Sequence, residues 1–552
     1  MAKCLKFIKL EWQFPGVLSL LFISSILSFI LGGFLSNIPP LAFINTLSEG
    51  LSPYLKKVIT FSFYQATLSS LLSIIPAYFI AKALYRRDFK YKSLIISLCS
   101  TTLIMPSIVV VLGLIFLYGN SGIVTSFISA ITQDKIHFSI YGLHGILLAH
   151  VFFNLPYATL LFLKALNSIS THQLKLAAQL NFSSWLQFTL IEWPVIKKQI
   201  AYLSVIIFTL CFSSFSIVLL LGGGPKATTI ELAIYQAMTY EYDFQKAGLL
   251  ALIQILLCLI LLLLSQNLST HYAAATDSIH WKIKSRNIWI KLSDILLIAI
   301  LICLVLPPII AIFWVGFNSD FWATIFSRPL QNAFLNSLII GLSSAFLALS
   351  LGIAISWTAR QFVIKQKNRL AQFMISTSSV TLMIPGIVLA SGLYISLFHF
   401  SLTESLLASP YILIPIINAL MALPFVLNQI YPSMVNNAHA YNKLARLYNI
   451  NAFNRLWLLD IRGNLSVFKK AFAFAMTLSL GDIGVISILG SQNSGDVFYT
   501  LPYLLFLKLG NYQTESADVI ALILLLLVLG IFMLSHLNLN IKNVKMANFK
   551  TN

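Results

Sequence analysis

Apolar stretches long enough to cross a lipid bilayer recur along almost the whole chain. Crossing ~30 Å of hydrocarbon takes about 20 apolar residues in a helix. Twelve such stretches occur, at residues 16–36, 58–81, 94–118, 140–163, 200–221, 247–265, 294–316, 336–358, 373–399, 411–430, 471–490 and 517–535. Membrane-barrel strands would be shorter and would alternate apolar with polar residues. The sequence therefore predicts an all-α integral membrane protein with about twelve transmembrane helices.

Composition and charge agree with this prediction. The 552 residues are 58% hydrophobic and only 10% charged, which leaves too little charge for the surfaces of soluble domains. If the N-terminus is cytoplasmic, most of the 36 Lys and Arg residues fall in cytoplasmic segments. The positive-inside rule then places both termini in the cytoplasm. Because these charges are spread over several short segments, the net charge of +19 indicates topology and no nucleic-acid partner.

Polar features recur in the same order in the two parts of the chain. Lys175, Ala177 and Asn181 return as Lys443, Ala445 and Asn449. The two members of each pair are the same number of residues apart, and we call this number the repeat offset. The repeat predicts a first six-span half at 1–264, with its core at about 54–264, and a second at 292–552, with its core at about 331–536. A polar cytoplasmic linker would occupy 265–291. Six spans per half give a parallel repeat, which can enclose a pathway across the membrane.

Two prolines interrupt apolar spans at similar places in the two halves. Pro106 lies in the third span and Pro385 in the ninth. Proline removes a backbone hydrogen bond and bends a helix, so both are candidate hinges of a pathway or gate. The alternative is that proline and small residues recur because they are common in packed membrane helices.

A polar segment follows the fourth span of each half. The first repeated segment is residues 165–199 and the second repeated segment is 431–470. Each is predicted to form two short helices joined at an asparagine, Asn181 or Asn449, since asparagine tolerates the left-handed conformation well. Pro194 is expected to end the second short helix of the first segment. The pattern favours a docking surface over an amphipathic helix that lies on lipid.

These segments resemble the coupling loop of permeases from binding-protein-dependent ATP-driven importers, the type I ABC permeases. The family pattern is Glu-Ala-Ala, three residues, then Gly. Lys175 and Lys443 stand at the Glu position, whereas Asn181 and Asn449 stand at the Gly position. The resemblance implies that an ATPase contacts these residues together with three others, which are Ala177, Pro194 and Ala445. Arg462 stands where the first copy has Pro194.

Two further strings resemble the fused permeases of bacterial thiamine importers. Residues 221–237 read Leu-Gly-Gly-Gly-Pro-Lys-Ala-Thr-Thr-Ile-Glu-Leu-Ala-Ile-Tyr-Gln-Ala, and residues 479–485 read Ser-Leu-Gly-Asp-Ile-Gly-Val. The likeness implies a multi-pass permease of the bacterial inner membrane that imports thiamine and its phosphates. Its implied partners are two copies of a cytoplasmic ATPase, which would use the ATP and Mg, and a periplasmic thiamine-binding protein. This chain would hold no cofactor.

Candidate chemistry within the chain is sparse. Residues 222–226, Gly-Gly-Gly-Pro-Lys, imitate a phosphate-binding loop only weakly and are expected to form an external turn. No catalytic or metal-ligating arrangement is predicted. Asp482 is the acidic residue placed well inside a late span, where a charge is costly unless it faces protein or water. It could help a cationic thiazolium to pass, or it could bind a helix end.

Other transport functions remain open at the level of the sequence. Within the same class, the chain could be a fused permease for ferric iron or another small solute. From a different class, it could be an ion-driven secondary carrier or a channel, although such carriers usually place polar residues across several spans. A membrane enzyme would need clustered His, Asp or Glu residues, which the sequence does not show.

Overall fold

The computed structural model describes residues 14–37, 52–120, 122–132, 139–266, 288–382, 384–402, 409–448, 450–490 and 498–536, and within these ranges the regular structure is entirely helical. In the first half the α-helices are α1 (Phe14–Asn37), α2 (Pro53–Arg86), α3 (Lys92–Thr102), α4 (Ser107–Tyr118), α5 (Ile123–Thr132), α6 (Leu143–Asn167), α7 (Thr171–Gln179), α8 (Ser184–Gln187), α9 (Trp193–Phe212), α10 (Phe215–Leu221), α11 (Ile230–Thr239) and α12 (Phe244–Gln266). A π-helix, Phe188–Glu192, joins α8 to α9.

In the second half the α-helices are α13 (Ile288–Asn318), α14 (Phe321–Ile325), α15 (Arg328–Ile364), α16 (Asn368–Ser379), α17 (Gly386–His399), α18 (Pro410–Leu447), α19 (Ala452–Arg455), α20 (Leu465–Leu480), α21 (Gly484–Leu489), α22 (Leu501–Gly510) and α23 (Thr514–His536). A second π-helix, Leu456–Ile461, follows α19. The predicted linker at 265–291 falls mostly at 267–287, outside the described residues.

The prediction of an all-α membrane protein is confirmed, but the spans differ from those predicted. Ten helical stretches in the described part of the chain are long and apolar enough to cross a membrane, and Gly386–His399 and Leu501–Gly510 are shorter apolar helices. The ninth and eleventh predicted spans are not single crossing helices. Each is split, into α16 and α17 or into α20 and α21. The count of twelve therefore holds for apolar segments but not for continuous helices.

In the described part of the chain four spans are broken, and the breaks occur at matching places in the two halves. The third span is split before α4 and the ninth before α17, where Pro106 and Pro385 are the respective N-cap residues. Proline lacks the N–H that a continuing helix would need, which explains why each helix restarts there. The fifth span is split at Ser213–Ser214, and the eleventh at residues 481–483. The two prolines therefore begin new helices and do not bend continuous ones.

Serine side chains hold the same pair of elements together in both halves. The Ser62 hydroxyl of α2 accepts a hydrogen bond from the backbone N–H of Ile230 at 3.1 Å, at the start of α11. The Ser337 hydroxyl of α15 accepts one from the N–H of Leu501 at 2.8 Å, at the start of α22. The separation of these two serines in the chain is close to the repeat offset. The long helices α2 and α15 therefore occupy equivalent positions beside α11 and α22.

The first helix of each half packs on the core of the other half. Helix α1 packs on α15 and α17, while α13 packs on α2 and α4. The Gly16 amide donates to Thr358 Oγ1 at 3.0 Å, and the Ser396 hydroxyl donates to the backbone carbonyl of Phe29 at 2.7 Å. We call this arrangement the crossed first helices. It ties the two halves together through contacts that are distant in sequence.

Candidate functional site

A cavity of ≈ 330 Å³ lies between the two halves, at the four helix breaks. Its walls include Pro106 and Ser214 from the first half and Pro385 and Asp482 from the second half, one residue from each break. We call it the shared cavity. Ligand sites in proteins are commonly cavities of about 300–1,000 Å³, so the volume is sufficient for a small organic molecule.

A buried hydrogen-bonded group fixes the broken span on the first-half side of the shared cavity. His150 of α6 is 1% exposed. Its Nδ1 pairs with the Ser69 hydroxyl of α2 at 2.8 Å, and its Nε2 pairs with the Ser214 hydroxyl at 2.8 Å. Buried polar groups need such partners, because an unmatched group in hydrocarbon costs free energy. The histidine therefore connects the break in the fifth span to two neighbouring helices.

A similar group occupies the equivalent place in the second half. Asn418 of α18 follows His150 by the repeat offset. Its Nδ2 donates to the Ser479 hydroxyl at 2.9 Å, and that hydroxyl donates to Ser344 Oγ at 3.0 Å. Ser344 of α15 corresponds to Ser69 of α2, because these two serines are as far apart in the chain as Ser62 and Ser337 are. Both halves thus use a polar residue of the fourth span to hold the end of the broken span.

Asp482 has both of the roles that the sequence left as alternatives, a place beside a pathway and a bond to a helix end. It lines the shared cavity. Its carboxylate also accepts hydrogen bonds from the backbone N–H groups of Gly484 at 3.2 Å and Val485 at 3.3 Å, at the start of α21. A carboxylate at a helix N-terminus satisfies amides that have no partner within the helix. The residue therefore stabilises the restarted helix while it faces the cavity.

Glu231, which the sequence predictions did not select, is a second acidic residue in the described part of the wall. It is 1% exposed and belongs to α11. Its Oε1 accepts a hydrogen bond from Gln254 Nε2 at 3.1 Å, and the backbone amide of Phe215, the first residue of α10, lies beside the carboxylate. The residue was missed because it lies between the fifth and sixth apolar stretches. Its place in the string at 221–237 was the available signal.

The joint of the first repeated segment has the predicted conformation. Asn181 has a φ of +48°, in the left-handed region. The N–H of Phe182 donates across the joint to the carbonyl of Ala177 at 3.0 Å. This bond closes the end of α7 in the manner of a Schellman motif. Ala177 is buried whereas Lys175 is exposed, so α7 presents its lysine to solvent.

The second repeated segment closes in the same way at the equivalent position. The N–H of Ile450 donates to the carbonyl of Ala445 at 3.0 Å, and both residues follow those of the Phe182–Ala177 bond by the repeat offset. Asn449 itself lies outside the described residues. Lys443 is exposed and Ala445 is buried, as in the first copy. One difference is that these residues continue the long helix α18, whereas α7 is separate from α6.

Pro194 does not end a helix, contrary to the prediction. It lies in the first turn of α9, directly after the π-helix Phe188–Glu192, and the helical stretch from Ser184 to Phe212 is continuous. Proline is tolerated in a first turn, and the wider π turn ahead of it leaves one backbone hydrogen bond out of the regular ladder. The second half has its π-helix at the equivalent place, and Arg462 follows it.

Each repeated segment is joined to the long helix of its own half by an ion pair. Glu192 Oε2 lies 2.8 Å from Lys82 Nζ of α2. Asp460, which follows Glu192 by the repeat offset, pairs with Arg360 of α15. Burial raises the pKa of the Asp460 carboxyl above its ordinary value, although the charge of Arg360 opposes this shift. Both acids lie within the π-helices, so each π-helix is fixed to a transmembrane helix.

Large apolar side chains are exposed at matching positions of the two repeated segments. Leu176 and Leu444 are 56% and 49% exposed, and Trp185 and Phe453 are 72% and 62% exposed. The members of each pair are separated by the repeat offset. Exposed apolar patches of this kind mark sites of contact with a partner or with lipid. The structure therefore gives the chain two similar candidate docking surfaces.

Comparison with known proteins identifies the family. Residues 85–273 match the family described as binding-protein-dependent transport system inner membrane component. The chain is 41% identical to the thiamine transport system permease protein ThiP of Escherichia coli (strain K12) over 480 residues, which cover 87% of this chain and 88% of that protein. The chain belongs to this permease family. It is also 40% identical to ThiP of Salmonella typhimurium, over 87% of this chain and 88% of that protein.

The match to a ferric transport permease is weaker. This chain is 27% identical to the ferric transport system permease protein FbpB of Actinobacillus pleuropneumoniae, over 38% of this chain and 30% of that protein. Family membership makes the chain a multi-pass inner-membrane transport subunit and not an enzyme. ATP hydrolysis belongs to a separate ATPase partner, and a binding protein delivers the solute.

The remaining predictions concern the weak phosphate-loop imitation and metal sites. In the permease, Gly223 and Gly224 have φ values of +65° and +128°, which favour glycine, and they connect α10 to the short 3-10 helix Pro225–Ala227. This agrees with the predicted turn. Among the described residues, no group of three His, Cys, Asp or Glu side chains could hold a metal ion.

Proposed function

We propose that the permease imports thiamine and its phosphates across the inner membrane through the shared cavity, with both termini in the cytoplasm. The observation that carries this proposal is the position of the cavity, between the two halves and bordered by all four broken spans. Irregular backbone at membrane depth is tolerated only where it is buried in protein or lines a cavity. The similarity to ThiP proteins over most of the chain supports thiamine as the solute.

Two ATPase copies would dock on the two repeated segments, one on each. The matching joints, the exposed apolar residues and the ion pairs to α2 and α15 support this part of the proposal. When the ATPases close on ATP, each repeated segment would move with its ATPase, and the Glu192 and Asp460 pairs would carry that motion to the long helices. The proposed contacts include Lys175, Asn181 and Pro194 in the first segment, and the second-segment residues Lys443 and Asn449.

Uptake in cells tests the solute. Labelled thiamine should accumulate in cells that carry the wild-type chain, and should not accumulate above background in cells that lack it. Ferric iron uptake in the same two strains should be equal. A loss of iron uptake with normal thiamine uptake would overturn the proposed solute. Thiamine uptake that survives ATP depletion but stops when the ion gradient collapses would favour a secondary carrier.

Docking is tested by placing charge on the exposed apolar surfaces. The double change Leu176→Glu and Leu444→Glu should abolish co-purification of the ATPase, because it introduces a carboxylate at the same point of each surface. Tyr512→Glu is the matched control, since Tyr512 is also exposed, at 91%, but lies between α22 and α23, outside both repeated segments and outside the apolar spans. Retention of the ATPase by the double variant would contradict docking at these positions.

A further inference from the structure

The two acidic residues of the shared cavity lie at restarted helices that touch each other. Glu231 lies beside the backbone amide of Phe215, at the start of α10. A methyl group placed on Gly484, at the start of α21, would lie 3.2 Å from the Phe215 ring and 3.7 Å from Asp482 Oδ1. The starts of α10 and α21 therefore lie close together, and each has a carboxylate beside it, one from each half of the permease.

No basic side chain neutralises these carboxylates in the described part of the chain. Neither Glu231 nor Asp482 has a Lys or Arg nitrogen within 4 Å there, and the described residues in the cavity wall include no Lys or Arg. By contrast, the buried acids Glu192, Asp294 and Asp460 each have a basic partner. Acidic groups in a membrane protein normally pair with a cation or line a pathway. The cavity thus lacks a positive charge that a ligand can supply.

A buried acceptor without a hydrogen-bond partner belongs to another residue of the same cavity wall. Asn418 is 3% exposed and lines the wall. Its Nδ2 donates a hydrogen bond to the Ser479 hydroxyl, but its Oδ1 has no hydrogen-bond partner. A buried carbonyl oxygen without a donor costs about 1–3 kcal/mol, so a bound donor would recover stability at this position. This acceptor is independent of the two carboxylates and also points to a ligand.

We propose that Glu231, Asp482 and Asn418 form a binding site for an organic cation that also carries an N–H donor. The cationic ring would lie beside the two carboxylates and the face of Phe215, and an amino group would donate to Asn418 Oδ1. A quaternary thiazolium joined to an aminopyrimidine has both features. This inference rests on the proposed function, because it assigns the part of thiamine that the cavity recognises.

Direct binding tests the site without the periplasmic binding protein. The purified permease–ATPase complex is equilibrated with labelled thiamine or with a neutral analogue in which a thiophene replaces the thiazolium ring. Wild type should bind thiamine at least tenfold more tightly than the analogue. Glu231→Gln and Asp482→Asn should each weaken thiamine binding by about tenfold to a hundredfold, because each removes a charged partner. Binding of the neutral analogue should change much less.

Glu241→Gln is the matched control. Glu241 follows α11 in the same connection but is exposed and pairs with Lys246 at 2.7 Å, outside the cavity wall. This variant should bind thiamine as wild type does. Equal binding of thiamine and its neutral analogue by wild type would overturn the proposal, even if the cavity variants fail to assemble. Wild-type affinity in assembled Glu231→Gln and Asp482→Asn would also overturn it.

Uptake separates failure of this site from failure of the proposed function. If wild type and both cavity variants restore thiamine uptake equally to cells that lack the chain, the cation site is wrong and the proposed function stands. If wild type itself does not restore uptake, the proposed function is wrong. Restoration by wild type with at least tenfold slower uptake in both variants supports the site.

Discussion

The ion pair between Arg360 and Asp460 should be the more costly of the two equivalent pairs to break. Both of its side chains are 1% exposed, whereas Lys82 and Glu192 are 23% and 8% exposed. The change Asp460→Asn removes the negative charge and leaves the guanidinium of Arg360 buried. Its contact with the Trp357 ring, whose centroid is 4.7 Å away, compensates only part of that charge.

The expected costs follow from burial. Removing one partner of a buried pair destabilises a protein by about 3–5 kcal/mol, since the remaining charge has no water around it. Glu192→Gln is the matched control, because it makes the equivalent change in the first half. Lys82 keeps access to water, so the loss should be nearer the roughly 1 kcal/mol typical of exposed pairs.

The assay is thermal unfolding of the purified permease–ATPase complex. Asp460→Asn should lower the unfolding midpoint several times more than Glu192→Gln does. The double variant Arg360→Met with Asp460→Leu should recover most of the loss, because apolar residues of similar volume often replace a buried pair without cost. Equal losses from the two single variants, or a double variant as unstable as Asp460→Asn, would refute the reasoning from burial.

Three further outcomes are expected. Gly33→Ala should weaken packing of α1 on α17, because the new methyl group would overlap Ser396 Oγ; Gly32→Ala, which meets nothing within 4 Å, should have little effect in the same thermal assay. Asn181→Ala should destabilise the first repeated segment by about 1–2 kcal/mol and reduce transport per ATP hydrolysed, because alanine strains the left-handed joint. Asn181→Gly should preserve the stability and the transport per ATP, because glycine adopts this conformation without strain. Equal transport per ATP in the two variants would contradict this. Asp294→Asn should lower the unfolding midpoint, since this fully buried carboxylate pairs with two arginines, Arg86 and Arg87, at the end of α2; an unchanged midpoint would show that the arginines find other partners.

Much of the architecture could be predicted because membrane helices have a simple compositional signal. Each apolar stretch corresponds to a helix or a pair of helices, and the repeat offset located the joints of both repeated segments. The left-handed joint followed from the chemistry of Asn181 alone. Helix breaks were harder to predict. Ser213 and Gly481 lie at two of the breaks, but serine and glycine are also common within continuous membrane helices. Only the tertiary structure shows that their broken ends meet.

The candidate site was predicted less completely. Asp482 stood out because it lies within an apolar stretch, but Glu231 lies outside one and offers no such contrast. The pairing of Glu192 and Asp460 with basic partners depends on how α2 and α15 pack against the π-helices. Lys82 and Arg360 are not separated by the repeat offset that relates the acids, so sequence comparison of the two halves could not have matched them.

The crossed first helices impose a delay on assembly in the membrane. Helix α1 ends at residue 37, whereas its partner α15 begins only at residue 328. Synthesis at about 5–20 residues per second separates the two by about 15–60 s. During that interval α1 lacks most of its final neighbours and must be retained by lipid or by the insertion machinery. A nascent chain released before α15 would therefore leave its first helix without its main packing surface.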